Sequence, residues 1–212
     1  MAGRDPSPGR RWLRRASWAC LGLGVLLFGY VGVLVGYQNF QQGRLSSDWA
    51  KQHPAASIHS GSFGTANAVS LHIVPHMAAG EPVARLSIPS VGYVGIVTEG
   101  DDRGVLSGGP GHDIETGYPS EGRDIVIANH NGFSFSWSDI QNGAQIVVET
   151  TYGRYTYTVV SRRIVNGDDN AVINSAPAGE RLQIITCWPL WAGALAQQRL
   201  VYDAVPVTGG SS

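Results

Sequence analysis

Two patterns of apolar and polar positions divide the chain. Over Ala16–Tyr37, ASWACLGLGVLLFGYVGVLVGY, 22 consecutive residues carry no charge. As a helix rising about 1.5 Å per residue this run would be roughly 33 Å long, enough for a hydrocarbon core of about 30 Å. The pattern predicts a transmembrane helix over residues 16–37, with Trp12, Trp18 and Tyr37 near its two interfaces. From Glu81 the texture changes to short β-forming runs bounded by Gly, Pro, Asn and Asp: VARLSIP, YVGIVTEG, RDIVIANH, AQIVVETTYG, RYTYTVVSRRIV, RLQIITC and RLVYDAVPV. RYTYTVV alternates with a period of two, as a strand with one wet face should. The intervening TTYGR (Thr150–Arg154) reads as a hairpin turn, and NGDDNAVINSAPAGE as a crossing loop or short helical turn. Seven or so strands without a 10–15-residue helical pattern between them predict an all-β domain, a closed or nearly closed β-barrel.

Between these regions, residues 38–80 show no sustained period of either kind and read as a stalk rich in Ser, Ala, Gly and His. The expected organisation is a basic segment over 1–15, a membrane anchor over 16–37, a stalk over 38–80, the barrel over 81–207 and a tail over 208–212.

Charge adds direction. Arg4, Arg10, Arg11, Arg14 and Arg15 precede the apolar run against a single Asp5. The positive-inside rule therefore puts the N-terminus in the cytoplasm and everything after the span outside the cell, on a single-pass anchor held by membrane lipid. A cleaved signal peptide would have a shorter apolar region ending in small residues, but here the run ends in YQNFQQGR. A lipoprotein signal fits no better, because Cys20 does not close the run. The formal net charge is −1, so nothing asks for nucleic acid as a partner. His72 and His76 have metal-site spacing, but Pro75 breaks a helix between them and no acidic or thiol partner is near in sequence; neither metal nor cofactor is expected.

The chain has two cysteines, Cys20 inside the predicted span and Cys187 in the barrel, so the two cannot pair within one molecule. An idle thiol is a liability in an oxidising space. Cys187 is either a buried core residue or a nucleophile, and position alone does not separate the two. As a nucleophile it would need a histidine, since a free thiol near pKa 8.5 is only slightly ionised at neutral pH. His130, at the end of DIVIANH, is the leading candidate, with His112 in the glycine-rich GGPGH, which could flank a groove, as the other. Arg199, in the only strand-like segment after Cys187, is the available fixed cation for a developing oxyanion.

LQIITCWP (Leu182–Pro189) resembles the T-L-x-T-C signature of sortases, the membrane-anchored cysteine transpeptidases of Gram-positive bacteria. The resemblance runs in one order over about 125 residues, through LSGGPGH, IVIANHNGFSFSWSDIQNGAQIVVET and YTYTVVSRRIV to TCWPLWAGALAQQRLVY, and is greatest to actinobacterial classes D to F. It implies an eight-stranded closed β-barrel. It also implies Cys187 as nucleophile, His130 as general acid and base, Arg199 as the arginine that holds substrate backbone and oxyanion, and Thr186 as a substrate contact. The implied reaction cleaves a C-terminal sorting signal such as L-P-x-T-G or L-A-x-T-G between Thr and Gly. The acyl group then passes to an amine of the cell wall or of a pilin, and the implied partners are exported proteins carrying such a signal. Asn129 and Asn131 flank His130 where many relatives have Gly and Arg, and PSEGRD stands where P-G-x-x-G-N is more usual. These departures bear on groove shape and substrate preference. They also keep open the alternative of a non-catalytic peptide-binding barrel, and a hydrolase that gives its thioester to water is a third reading.

Overall fold

The computed structural model describes residues 8–52, 77–169 and 179–207. His72, His76 and most of the segment between Asn166 and Glu180 lie outside the described residues. The chain forms two units, Met1–Phe40 and Gln41–Ser212.

A single helix, α1, runs over Pro8–Gln52. It is long and apolar enough to cross a membrane. Leu21, Leu23, Leu26, Leu27 and Phe28 project from it exposed. That lateral apolar surface suits lipid, since water would leave it uncompensated and a helix satisfies its own backbone groups. The helix does not stop where the apolar run stops. The expected stalk begins instead as helix through Gln52, since Gln, Arg, Leu and Lys beyond Tyr37 are good helix formers that need no apolar period. Within the second unit its last turns lie on the barrel. Trp49 is buried there, and the Gln42 carboxamide donates to the Gly108 carbonyl at 2.7 Å and accepts from the Ile96 amide at 3.0 Å.

The remainder is a closed eight-stranded barrel, in the order β1-β2-β3-β4-β7-β8-β6-β5. The strands are β1 Pro82–Ile88, β2 Tyr93–Glu99, β3 Gly111–His112, β4 Asp124–Asn129, β5 Gln145–Glu149, β6 Arg154–Asn166, β7 Arg181–Trp188 and β8 Gln198–Pro206. Seven coincide with the runs read from the sequence. The eighth, β3, has only two residues, too short to carry a period. The Thr150 hydroxyl accepts from the Gly153 amide and closes the expected β5–β6 hairpin. One periodicity explains the core. Alternate residues point inward, so Leu182 and Ile184 of β7, Leu200 and Tyr202 of β8, and Ile125 and Ile127 of β4 fill the interior with almost no exposure.

The opposite parity faces outward and decides where the chemistry sits. Val126, Ile185 and Val201, with Val165 against them, form a second, smaller apolar cluster on the outer wall of β4, β7, β8 and β6. Toward one end of this wall lies a polar network. Arg181 donates to both carboxylate oxygens of Asp124 at 3.2 and 2.8 Å, and Gln183, Ser161 and Arg163 all donate to Asp203.

Candidate active site

The other end of the same wall carries the sequence-predicted residues. Cys187 is two residues beyond Ile185 and therefore on its face, and its register partner across the antiparallel β7–β8 pair is Arg199. Directly opposed residues in such a pair have Cα atoms about 4.5–5.5 Å apart. The parallel β4–β7 pairing ends at Asn129 opposite Thr186, which puts His130 and Cys187 one step beyond it, on neighbouring strands. His130 keeps an extended backbone, with φ −70° and ψ 140°, so alternation from Val126 through Ala128 carries it outward as well. Three residues remote in sequence thus meet at one end of one face, above the Val126–Ile185–Val201 floor.

Their surroundings differ. His130 is exposed, Cys187 and Arg199 half-buried. The Gly132 amide donates to His130 Nδ1 at 3.2 Å, which in the neutral ring leaves the proton on Nε2. The Arg199 Nη1 donates to the Gln198 carbonyl at 3.0 Å, and among the described residues no carboxylate pairs with the guanidinium. The side chain lies against Gly167: a Cβ there would stand 3.0 Å from Nη1 and 2.7 Å from the Gln197 carbonyl oxygen. Gly167 is a residue that the sequence reading missed, and it matters because a side chain there would collide with the Gln197 carbonyl and crowd the arginine. A groove of about 780 Å³ opens beside Arg199, lined on its flanks by Trp188, Pro189, Leu195 and Asn166.

Thr186 is not brought to this face. It shares the parity of Ile184, is 2% exposed, and its hydroxyl meets that of Ser134 at 2.6 Å. His112 is not at the groove either. It is 2% exposed on β3, with Nδ1 3.2 Å from Glu99 and Nε2 2.9 Å from the Gly117 carbonyl. Tyr118 completes that internal cluster by donating to Glu99 at 2.7 Å; burial first, then that hydrogen bond, then the Glu99 charge raise its hydroxyl above the usual tyrosine range. The two asparagines that flank His130 have partners of their own. Asn129 Nδ2 donates to the Tyr93 hydroxyl at 2.9 Å, and Asn131 Nδ2 to the Gly193 carbonyl at 3.1 Å. Asn131 thereby ties the turn Asn131–Phe133, which follows His130, to the Leu190–Leu195 crossing that follows Cys187.

A closed β-barrel that gathers a cysteine, a histidine and an arginine at the ends of three strands defines a class of thiol-bearing barrel proteins. Residues 86–207 match the sortase domain family, and the chain belongs to that family. Sortase D of Bacillus subtilis (strain 168) is 30% identical over 125 residues, a stretch that covers 58% of this chain and 63% of that protein. Among solved structures, a Sortase D5 transpeptidase of Clostridium perfringens superposes with a TM-score of 0.57 at 22% identity, over 62% of this chain and 82% of that one. Sortase A from Corynebacterium diphtheriae gives 0.56 at 22% identity, over 62% and 63%. At such identities the structural matches speak for the fold, which is the eight-stranded barrel expected from the resemblance.

Proposed function

We propose that this protein is a cysteine transpeptidase held in the membrane by residues 16–37, with residues 1–15 in the cytoplasm and the domain over 81–207 outside the cell. Its substrates are exported proteins with a C-terminal sorting signal of the L-P-x-T-G or L-A-x-T-G kind, cut between Thr and Gly. Its acceptor is an amine of the cell wall or of a pilin. The observation that supports this reading is the register that sets Cys187 opposite Arg199 and one step from His130 on a single outer face.

The roles follow from what each group can do there. The Cys187 thiol gives its proton to the imidazole, and the thiolate attacks the threonine carbonyl carbon. The oxygen becomes an oxyanion within reach of Arg199, whose donors are not taken up by an internal carboxylate. The imidazolium of His130 passes a proton from Nε2 to the departing glycine amine as the C–N bond breaks, and a thioester remains on Cys187. The neutral ring then takes a proton from the incoming amine, which attacks the thioester and releases the sulfur. Charging the ring at Nδ1 breaks the Gly132 hydrogen bond, so that bond marks the resting enzyme.

The test uses the full chain in detergent micelles with sorting peptides and either glycine-type or diaminopimelate-type amines, read by mass spectrometry. Cleavage after Thr, a thioacyl adduct on Cys187 and an amine-capped product are expected, and Cys187→Ala should abolish all three. Full transfer by Cys187→Ala ends the proposal. Peptide binding without any adduct means a binding module, and product unchanged by added amine means a hydrolase.

A further inference from the structure

We propose that Ser134 is a positioning residue for the reacting pair, and that Thr186 serves it rather than the substrate. A relay of two hydroxyls holds the loop of His130 against the strand of Cys187. The inference rests on the reading of Cys187 and His130 as that pair.

The need for such a device comes from the ladder. Pairing between β4 and β7 stops at Asn129 and Thr186, so the two residues that must stay in register, His130 and Cys187, have left the backbone hydrogen bonds that would hold them together. Ser134 takes up the link four residues after His130. Its side chain is fully buried, and its Oγ lies 2.6 Å from Thr186 Oγ1, 3.1 Å from the His130 carbonyl oxygen and 3.4 Å from that of Asn131.

Proton counting gives the relay a direction. Each hydroxyl has one proton, and carbonyls only accept. Among the described residues the Thr186 hydroxyl has no other hydrogen-bond partner than Ser134. If Thr186 donates to Ser134 and Ser134 donates to the His130 carbonyl, both protons are used. The reverse direction strands the Thr186 proton in a buried site and leaves the His130 carbonyl with the Phe133 amide alone, and a buried donor without an acceptor is costly. The relay therefore runs from Thr186 O–H to Ser134 O–H to the His130 carbonyl, from one reacting strand to the other. The hydrogen bond of Asn131 to Gly193 holds the same loop from the outside. Of these two side-chain links, the one from Ser134 reaches the residue that adjoins Cys187.

This assignment departs from the substrate contact that the family resemblance implied for Thr186. The reason is geometric, because a side chain 2% exposed and turned to the interior presents nothing to a peptide on the outer face.

The test compares steady-state transfer by the full chain and its variants in micelles. Since a displacement of about 1 Å can cost about a hundredfold in rate, a loosened loop is expected to lower kcat about tenfold. Ser134→Ala and Thr186→Val should each do so with KM held within about twofold, and the double variant should be no worse than either, as for groups acting as one unit. Thr186→Ser, which keeps the hydroxyl, should restore kcat. A rise in KM with kcat kept in Thr186→Val, additive losses, or no rescue by Thr186→Ser would each overturn the relay. Where Ser134→Ala does not fold, the Thr186 variants carry the test from the other end. If the wild-type chain transfers nothing, the transpeptidase reading fails separately. The relay is then judged by hydrogen exchange, with the Gly132 and Phe133 amides expected to exchange about tenfold faster in Thr186→Val than in wild type. Unchanged exchange would sink it.

Discussion

Arg181 and Arg199 stand at opposite ends of one outer wall, and they are used in opposite ways. Arg181 is a closed account of charge. Its side chain is 10% exposed, it grips Asp124 through two nitrogens, and Asp203 lies 3.6 Å from a third. Arg199 has one hydrogen bond, to a backbone carbonyl, and no carboxylate among the described residues. Both are strand arginines of outward parity. What separates them is the register neighbour, an aspartate for the first and a cysteine for the second. A guanidinium satisfied from within can only brace the barrel, whereas one with donors to spare can meet an anion that arrives or develops.

The comparison can be broken from either end. The largest effect should come from Asp203→Ala. Removing one member of a buried charge network leaves the others uncompensated, so a loss of about 3–5 kcal/mol is expected in chemical unfolding, with kcat scarcely altered. A fall in kcat larger than the fall in stability would mean that the two ends are coupled. Next comes Arg199→Ala, for which transfer should drop by about 10²–10³ in kcat, the usual cost of one oxyanion donor, while the unfolding midpoint stays in place. A smaller effect is expected from acid. Burial alone would raise the Asp203 carboxyl, but hydrogen bonds from Gln183, Ser161 and Arg163 and the Arg163 charge outweigh it and hold the group below its usual range. A depressed folded-state value means that the stabilisation is complete above the unfolded value of about 3.9 and is lost as pH falls through the folded one. Unfolding followed from pH 6 downward, on the order of a few pH units, should therefore show an acid loss that is blunted in Asp203→Asn. Equal pH profiles for the two proteins would remove Asp203 from the account.

Much of this wall was legible from the pattern of residues alone. Seven strands announced themselves by β-branched runs between turn residues, and the resemblance around Cys187 drew His130 and Arg199 into one site. β3 was not legible, because two residues display no alternation. The helix beyond Tyr37 was missed for a related reason: of the covered positions 41, 42, 45, 48 and 49, only Leu45 and Trp49 are apolar, too few to display a period. Thr186 is a different case. A period of two already places neighbours on opposite faces, so its turn away from Cys187 could have been read in LQIITC without coordinates. Ser134, Asn131 and Gly167 could not. Each acts through a partner 32 or more positions away in the chain, Ser134 on Thr186, Asn131 on Gly193 and Gly167 on Arg199, and no local pattern records such a meeting.

The barrel has one thin seam. Between β2 and β4 the wall is carried by the two residues of β3, and above them a carboxamide takes the place of a peptide unit, with Gln42 filling the Ile96 and Gly108 positions as a passing strand would. The last stave is thus borrowed from the helix, and a protein trimmed after Gln52 would bare the Ile96 amide on β2 and the Gly108 carbonyl across from it. Bare rims of that kind recruit other chains. Keeping Gln42 on a recombinant version of the domain is therefore a matter of solubility as much as of length.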